Sequence, residues 1–123
     1  MILDDLKNFI VQNSIADEAL IKYDYDSSKG DDVILLNLYN SVPCDLARRS
    51  GIKITIKLSD LELARDTCFA LHDLLFPVDA FQKAILINGK TMHARLNNGP
   101  YYLEKDSSKR HCYVLDIVLV YNR

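Results

Sequence analysis

Tryptophan is absent, cysteine is scarce, and the 123 residues contain no long apolar run. The three cysteines, Cys44, Cys68 and Cys112, are odd in number and lack Cys-x-x-Cys spacing. That excludes a complete disulfide framework and a zinc knuckle, and reduced thiols are the simpler reading. No stretch approaches the roughly 18 apolar residues that a membrane-spanning helix needs. Asp4 and Asp5 follow a three-residue apolar start, unlike the basic and then apolar regions of a signal peptide, so a cytoplasmic protein is expected. Phosphate-binding GxxxxGK[ST] loops, GxGxxG turns, GxSxG elbows and HExxH helices are all missing, which removes the commonest local signatures of catalysis.

What is present suits one domain. A length of 123 residues is near the commonest domain size, and 49% hydrophobic with 26% charged residues argues against both disorder and a coiled coil. The net charge of −2 argues against broad electrostatic capture of nucleic acid, although the short pairs Arg48-Arg49 and Lys109-Arg110 are local basic spots.

Ile2, Leu3, Leu6, Phe9 and Ile10 recur at helical spacing and predict a short amphipathic helix over about 3–13. Ile21, Tyr23 and Tyr25 alternate with Lys22 and Asp24, the period of a strand, and Val33 to Tyr39 predicts a second strand after a polar break, hence a hairpin. Asn40 to Ser50, with Pro43 and no periodicity, reads as a long exposed connection. Ile52, Ile54, Ile56 and Leu58 then alternate strictly with Lys53, Thr55 and Lys57, which predicts a strand with one buried face. Ser59-Asp-Leu-Glu62 has the form of a capping box and opens a helix with Leu61, Ala64, Cys68, Leu71 and Leu75 on one side, ended by Pro77. Ala84 to Leu96 predicts a hairpin turning at Asn88-Gly89. After a break at Asn97-Asn-Gly-Pro100, strands are expected around Tyr101 to Glu104 and from about Arg110 to Tyr121. The last is apolar on both faces, so both faces should be covered.

The candidates for chemistry are few. His72, beside Asp73, has no metal-ligating partner at i+4 and reads as a polar helix residue. His93 and His111 fall on neighbouring predicted strands; were they to approach each other beside Lys109 or Arg110, a small metal-independent nuclease would be conceivable. Asp24, Asp26, Asp31 and Asp32 surround one turn without EF-hand spacing and read as solvated acids. No catalytic, cofactor or metal residue is assigned. Seven tyrosines all lie on or beside predicted strands, as half-buried strand residues or as interface area.

The expected fold is therefore α+β: a mostly antiparallel sheet, a short first helix and a longer amphipathic helix on one face. The helix, the paired strands through Val33-Ile-Leu-Leu-Asn-Leu-Tyr39, the run Ile52 to Leu58 leading into the helix ending Leu74-Leu-Phe-Pro77, and the closing strand Val120-Tyr-Asn-Arg123 resemble the tail terminator and minor capsid family of tailed bacteriophages. The resemblance implies a structural virion subunit and no enzyme. Its copies would form a ring, usually a hexamer, that caps the tail tube, stops its polymerisation and joins the tail to a head-side connector. Its partners would be further copies of itself, the tube protein and the connector, first in the host cytoplasm and then in the virion tail. Expected docking residues are Arg48 and Arg49 on one loop, Lys105, Lys109 and Arg110 on another, and Asp31 and Asp32 as their charge complement. The alternatives are a small acidic binding or immunity-type module masking one protein partner, and the small nuclease.

Overall fold

The computed structural model describes residues 1–44, 46–77 and 84–122. Helix α1 (Ile2–Gln12) buries Ile2, Leu3, Leu6, Phe9 and Ile10, the stripe expected from the sequence. A 3-10 turn at Glu18–Leu20 leads into the three-residue strand β1 (Ile21–Tyr23). β2 (Val33–Cys44) and β3 (Ala47–Leu58) come next, then helix α2 (Leu61–Leu75), then β4 (Ala84–Ile87), β5 (Lys90–Lys105) and β6 (His111–Asn122). The six strands form one mixed sheet in the order β1-β2-β3-β6-β5-β4.

The alternation of Ile52, Ile54, Ile56 and Leu58 holds, with all four buried. They share one core with the inner faces of α1 and α2 and with Leu115, Ile117 and Leu119 of β6. The turn at Asn88-Gly89 also holds, with positive φ at both residues (50° and 79°), as a type I′ hairpin requires.

Four expectations need correction. β1 and β2 are no hairpin: Ile21 pairs with Ile34 and Tyr23 with Leu36 in parallel. Parallel neighbours require the chain to return to its starting end, and because β1 is only three residues long the connection 24–32 suffices. Asn40 to Ser50 is no long connection: Asn40 pairs with Gly51 and Cys44 with Ala47, so the strands of one long hairpin run to its tip. Apolar alternation fails there because the core ends at Leu38 and Ile52. Beyond them polar groups hold the strands, with Ser50 Oγ 2.9 Å from Tyr121 Oη and Arg48 Nη1 donating to Ser41 Oγ at 3.0 Å. Helix α2 is capped by Asp60, whose carboxylate accepts from Leu63 N at 3.2 Å, and not by a Ser59–Glu62 box. The Ser59 N–H is taken by Asp32 Oδ1 at 2.9 Å, which leaves Asp60 as the first free cap.

Finally, Asn97 to Pro100 does not break the chain into two strands. β5 runs through it with register shifts between Leu96 and Asn98 and between Asn98 and Tyr101. Such irregularities bend a strand without ending its pairing. Gly99 makes the path possible: its φ is +95°, and a Cβ there would sit 2.3 Å from the Val114 carbonyl oxygen. Gly99→Ala is expected to cost at least about 2 kcal/mol from backbone strain and the clash together. Urea denaturation with an unchanged m-value checks this, and a loss under 0.5 kcal/mol, roughly the scatter for an ordinary surface change, would contradict it.

Candidate functional site

One end of the sheet is closed by a single guanidinium. Arg110, the residue before β6, is 5% exposed. Its Nε donates to Asp106 Oδ2 at 2.9 Å, Nη2 to Asp26 Oδ2 at 2.8 Å, and Nη1 to both Ser28 Oγ at 2.9 Å and the Asp31 carbonyl at 2.7 Å. Lys57 Nζ adds a second cation 3.7 Å from Asp26. The two acids belong to identical tetrapeptides, Asp-Ser-Ser-Lys at 26–29 and at 106–109. Each folds the same way: the Asp carboxylate accepts from the N–H two residues on (2.9 Å at Ser28, 3.0 Å at Ser108), and the Lys adopts positive φ (56° and 64°). Ser28 Oγ also donates to Asp26. Burial alone would raise the Asp26 carboxyl, but hydrogen bonds from Ser28 and Arg110 overcome it and hold it far below the ordinary carboxylate range. Asp106 is lowered in the same way, its burial outweighed by Arg110.

The clamp relocates the expected docking residues. Asp31, Lys105, Lys109 and Arg110 do gather at one end, but Arg110 is buried structure and no docking side chain. Asp32 is occupied by the Ser59 N–H. Of the expected solvated acids Asp24 and Asp31 are exposed, whereas Asp26 faces Arg110 and Lys57 and is no free turn carboxylate. No metal-holding cluster of His, Cys, Asp or Glu occurs among the described residues. Arg48 and Arg49 lie at the far end of the sheet, pairing with Tyr121 and Val120. Arg48 and Lys57 are nine positions apart along β3, which is about 30 Å.

The two histidines do not approach each other: His93 stands opposite Val120 and His111 opposite Lys105, nine positions apart along β6. His111 Nδ1 instead lies 3.2 Å from Tyr102 Oη. Burial drives the Cys68 thiol up to about 12 and raises that of Cys112, so neither is a ready nucleophile.

The accessible features among the described residues include two strand edges and one half of a face. Among those residues β4 pairs only with Lys90 to His93 of β5, which leaves β5 open from Ala94 to Lys105 with the exposed side chains Leu96, Tyr102 and Leu103. On the opposite side, among the described residues, β1 pairs only with Ile34 to Leu36 of β2, which leaves Tyr39 to Cys44 open beside exposed Tyr39, Val42 and Leu46. On the helix-free face Tyr39 bulges out of register, between Leu38 and Asn40. Its ring lies over Gly51, where a Cβ would come within 2.6 Å of it. Its hydroxyl reaches two strands across to donate to Asp116 Oδ1 at 2.7 Å, and Asn97 Nδ2 donates to the other oxygen at 3.1 Å. Sequence reading missed this bridge; the lone glycine within an alternating strand was its available signal.

Two outcomes are expected of the clamp. Arg110→Met should lose about 2–4 kcal/mol in urea denaturation at pH 7, because two largely buried carboxylates lose the guanidinium, Asp26 keeping Lys57 Nζ at 3.7 Å. The depressed Asp26 and Asp106 carboxyls contribute stability that is complete above the ordinary carboxylate range and is lost as pH falls through their folded values. The gap between the parent and Arg110→Met should therefore narrow below about pH 4. A gap that stays constant down to pH 2 would contradict this assignment. Compared with known protein families and with curated proteins, the chain matches none.

Proposed function

We propose that this chain is a structural assembly subunit whose copies join edge to edge into a closed ring, in the manner of a phage tail terminator that caps the tail tube and meets the head-side connector. The observation that carries the reading is the pair of open strand edges on opposite sides of one sheet. β2 is antiparallel to β3, β3 to β6, and β6 to β5, so β2 and β5 run in opposite directions. When successive copies keep one orientation, the β5 edge of one meets the β2 edge of the next in antiparallel fashion. That is a head-to-tail contact of the kind that closes into rings.

The two free stretches are offset. The β2 stretch is level with Ala47 to Gly51 of β3, and the β5 stretch with Ser50 to Leu58. An offset of about five residues (~16 Å) over the four inter-strand spacings of one repeat, β2, β3, β6, β5 and the contact (~19 Å), inclines the strands by about 40° to the ring axis. Pro43 and Pro100 interrupt the free edges with residues that lack an N–H, leaving Tyr39 to Val42 and Tyr101 to Lys105 as the segments able to form a ladder. Edges blunted in this way resist indiscriminate pairing, which suits a subunit meant to assemble at one place and time. Neither edge requires catalysis. The Arg48-Arg49 tip and the Lys105 to Lys109 turn then lie on the two opposite rims of the ring, available to different partners.

The second reading, a small module that binds one protein, is favoured by a groove of about 400 Å³ between the end of α1 and the start of α2, lined by Val11, Ile15, Leu58 and Leu63 and by the polar Asp17 and Thr67.

Light scattering coupled to size exclusion over a concentration series tests the ring directly. Closed particles of about six subunits are expected. Val42→Glu with Leu103→Glu should reduce them to monomer while the circular dichroism spectrum is retained, and charge reversal at Arg48 and Arg49 should leave the ring intact but weaken docking on its rim. A strict monomer at every concentration, with tail tubes added or not, would overturn the proposal.

A further inference from the structure

Independently of ring formation, we infer that the upper half of the helix-free face is a binding surface for single-stranded nucleic acid, with Tyr39 as the stacking platform. The sheet register sets out the surface in rows. Val42, Arg49, Val120 and His93 lie across one row; Asn40, Gly51, Val118 and Arg95 across the next; and Asn37, Lys53, Asp116 and Asn98 across the third. Arg49, Arg95 and His93 are exposed and Lys53 is half-exposed. None of the four takes part in an ion pair among the described residues, although the chain as a whole is net negative. The carboxylate in these rows, Asp116, already accepts from Tyr39 and Asn97. The lower half of the same face differs, because there the clamped connection 24–32 meets Arg110.

The choice of a nucleic acid over an acidic protein rests on Tyr39. Its ring is supported from below by Gly51 and tethered at its tip by Asp116, yet it is 52% exposed. A ring fixed over a sheet offers a π-face at little conformational cost, and every base can stack on it. The flanking guanidiniums of Arg49 and Arg95 suit phosphate oxygens, which they can engage in bidentate fashion. Val118 and Val120, half-buried between them, form a floor without protruding charge. Cations around an immobilised aromatic on an open sheet match a flexible strand whose bases are unpaired, and contacts made by stacking and backbone charge make binding largely independent of sequence.

The test is fluorescence anisotropy of a labelled twelve-nucleotide oligo(dT), from 20 to 200 mM salt, at protein concentrations where light scattering reports one species. Saturable binding is expected, weakening with salt on a log–log slope of roughly −2, as three cations on a single strand give. Tyr39→Leu should weaken binding about tenfold with the slope unchanged, whereas Tyr39→Phe, which keeps the ring, should stay within about twofold. Arg49→Gln with Arg95→Gln, on exposed positions that leave the fold intact, should bring the slope to roughly −0.7. Absence of saturable binding at 20 mM salt, equal affinity in Tyr39→Leu, or displacement by poly-glutamate as effective as by unlabelled oligo(dT) would each overturn the inference, the last pointing to an acidic protein surface.

Discussion

Arg110 is the interaction on which the rest of the structure depends. It sits where three parts of the chain that are distant in sequence converge: the connection after β1, the end of β3 at Lys57, and the turn between β5 and β6. A guanidinium has five donors in a fixed fork, and here they are shared among two carboxylates, a hydroxyl and a carbonyl. No aliphatic side chain or lysine could satisfy those acceptors at once. Burying the cation is costly, and the geometry offsets that cost by converting two exposed polar turns into one packed end. The short parallel strand β1, which has only three residues of pairing, is held by buried Ile21 and by the Asp24 N–H donating to the Leu36 carbonyl at 3.0 Å, and Arg110 ties down the connection that leaves it.

Closing one end of the sheet decides where the molecule can meet others. The lower half of the helix-free face is covered, α1 and α2 cover the opposite face, and Asp5 ties α1 to the β4–β5 turn through Asn88 at 2.9 Å and Lys90 at 3.0 Å. Burial disfavours the Asp5 carboxylate, and those two donors more than compensate, so its pKa falls. Among the described residues the surfaces left open include the two strand edges, the hairpin tip carrying Arg48 and Arg49, and the cationic rows around Tyr39. The proposed assembly role and the inferred strand-binding role both draw on these surfaces.

The elements that could be read from the sequence were those in which burial follows the local period. The Ile52 to Leu58 strand, the stripe of α1, the Asn88-Gly89 turn and most of the α2 stripe follow from spacing alone. Leu61, however, expected on that stripe, is exposed at the first turn, and the second face of β6, expected to be covered, is buried at Cys112 and Val114 and only half-buried at Val118 and Val120. Where the core ends, that signal ends. Residues 39–44 and 47–51 are paired strands held by serine, tyrosine and arginine contacts, and no hydrophobic count reveals them. The parallel setting of β1 was hidden because a polar break between two short strands is more often a hairpin, and the competing interaction, Arg110, lies some 80 residues away in sequence. A local signal for it did exist: Asp-Ser-Ser-Lys occurs twice, each copy combining a side-chain-capped turn with a positive-φ lysine, and a repeated turn beside a single arginine suggests a shared partner. The Tyr39–Gly51–Asp116 bridge needed the register of three strands, which sequence period does not supply.

Assembly through the open edges requires that those edges be the places where copies meet. Amide hydrogen exchange, compared between dilute monomer and the concentrated or tube-bound particle, reads this out residue by residue. Added protection should be concentrated at Tyr39 to Val42 and Tyr101 to Lys105, with the amides held at the Arg110 end protected equally in both states. Protection gained mainly over α1 and α2, with both edges exchanging as fast in the particle as in the monomer, would contradict edge-to-edge assembly.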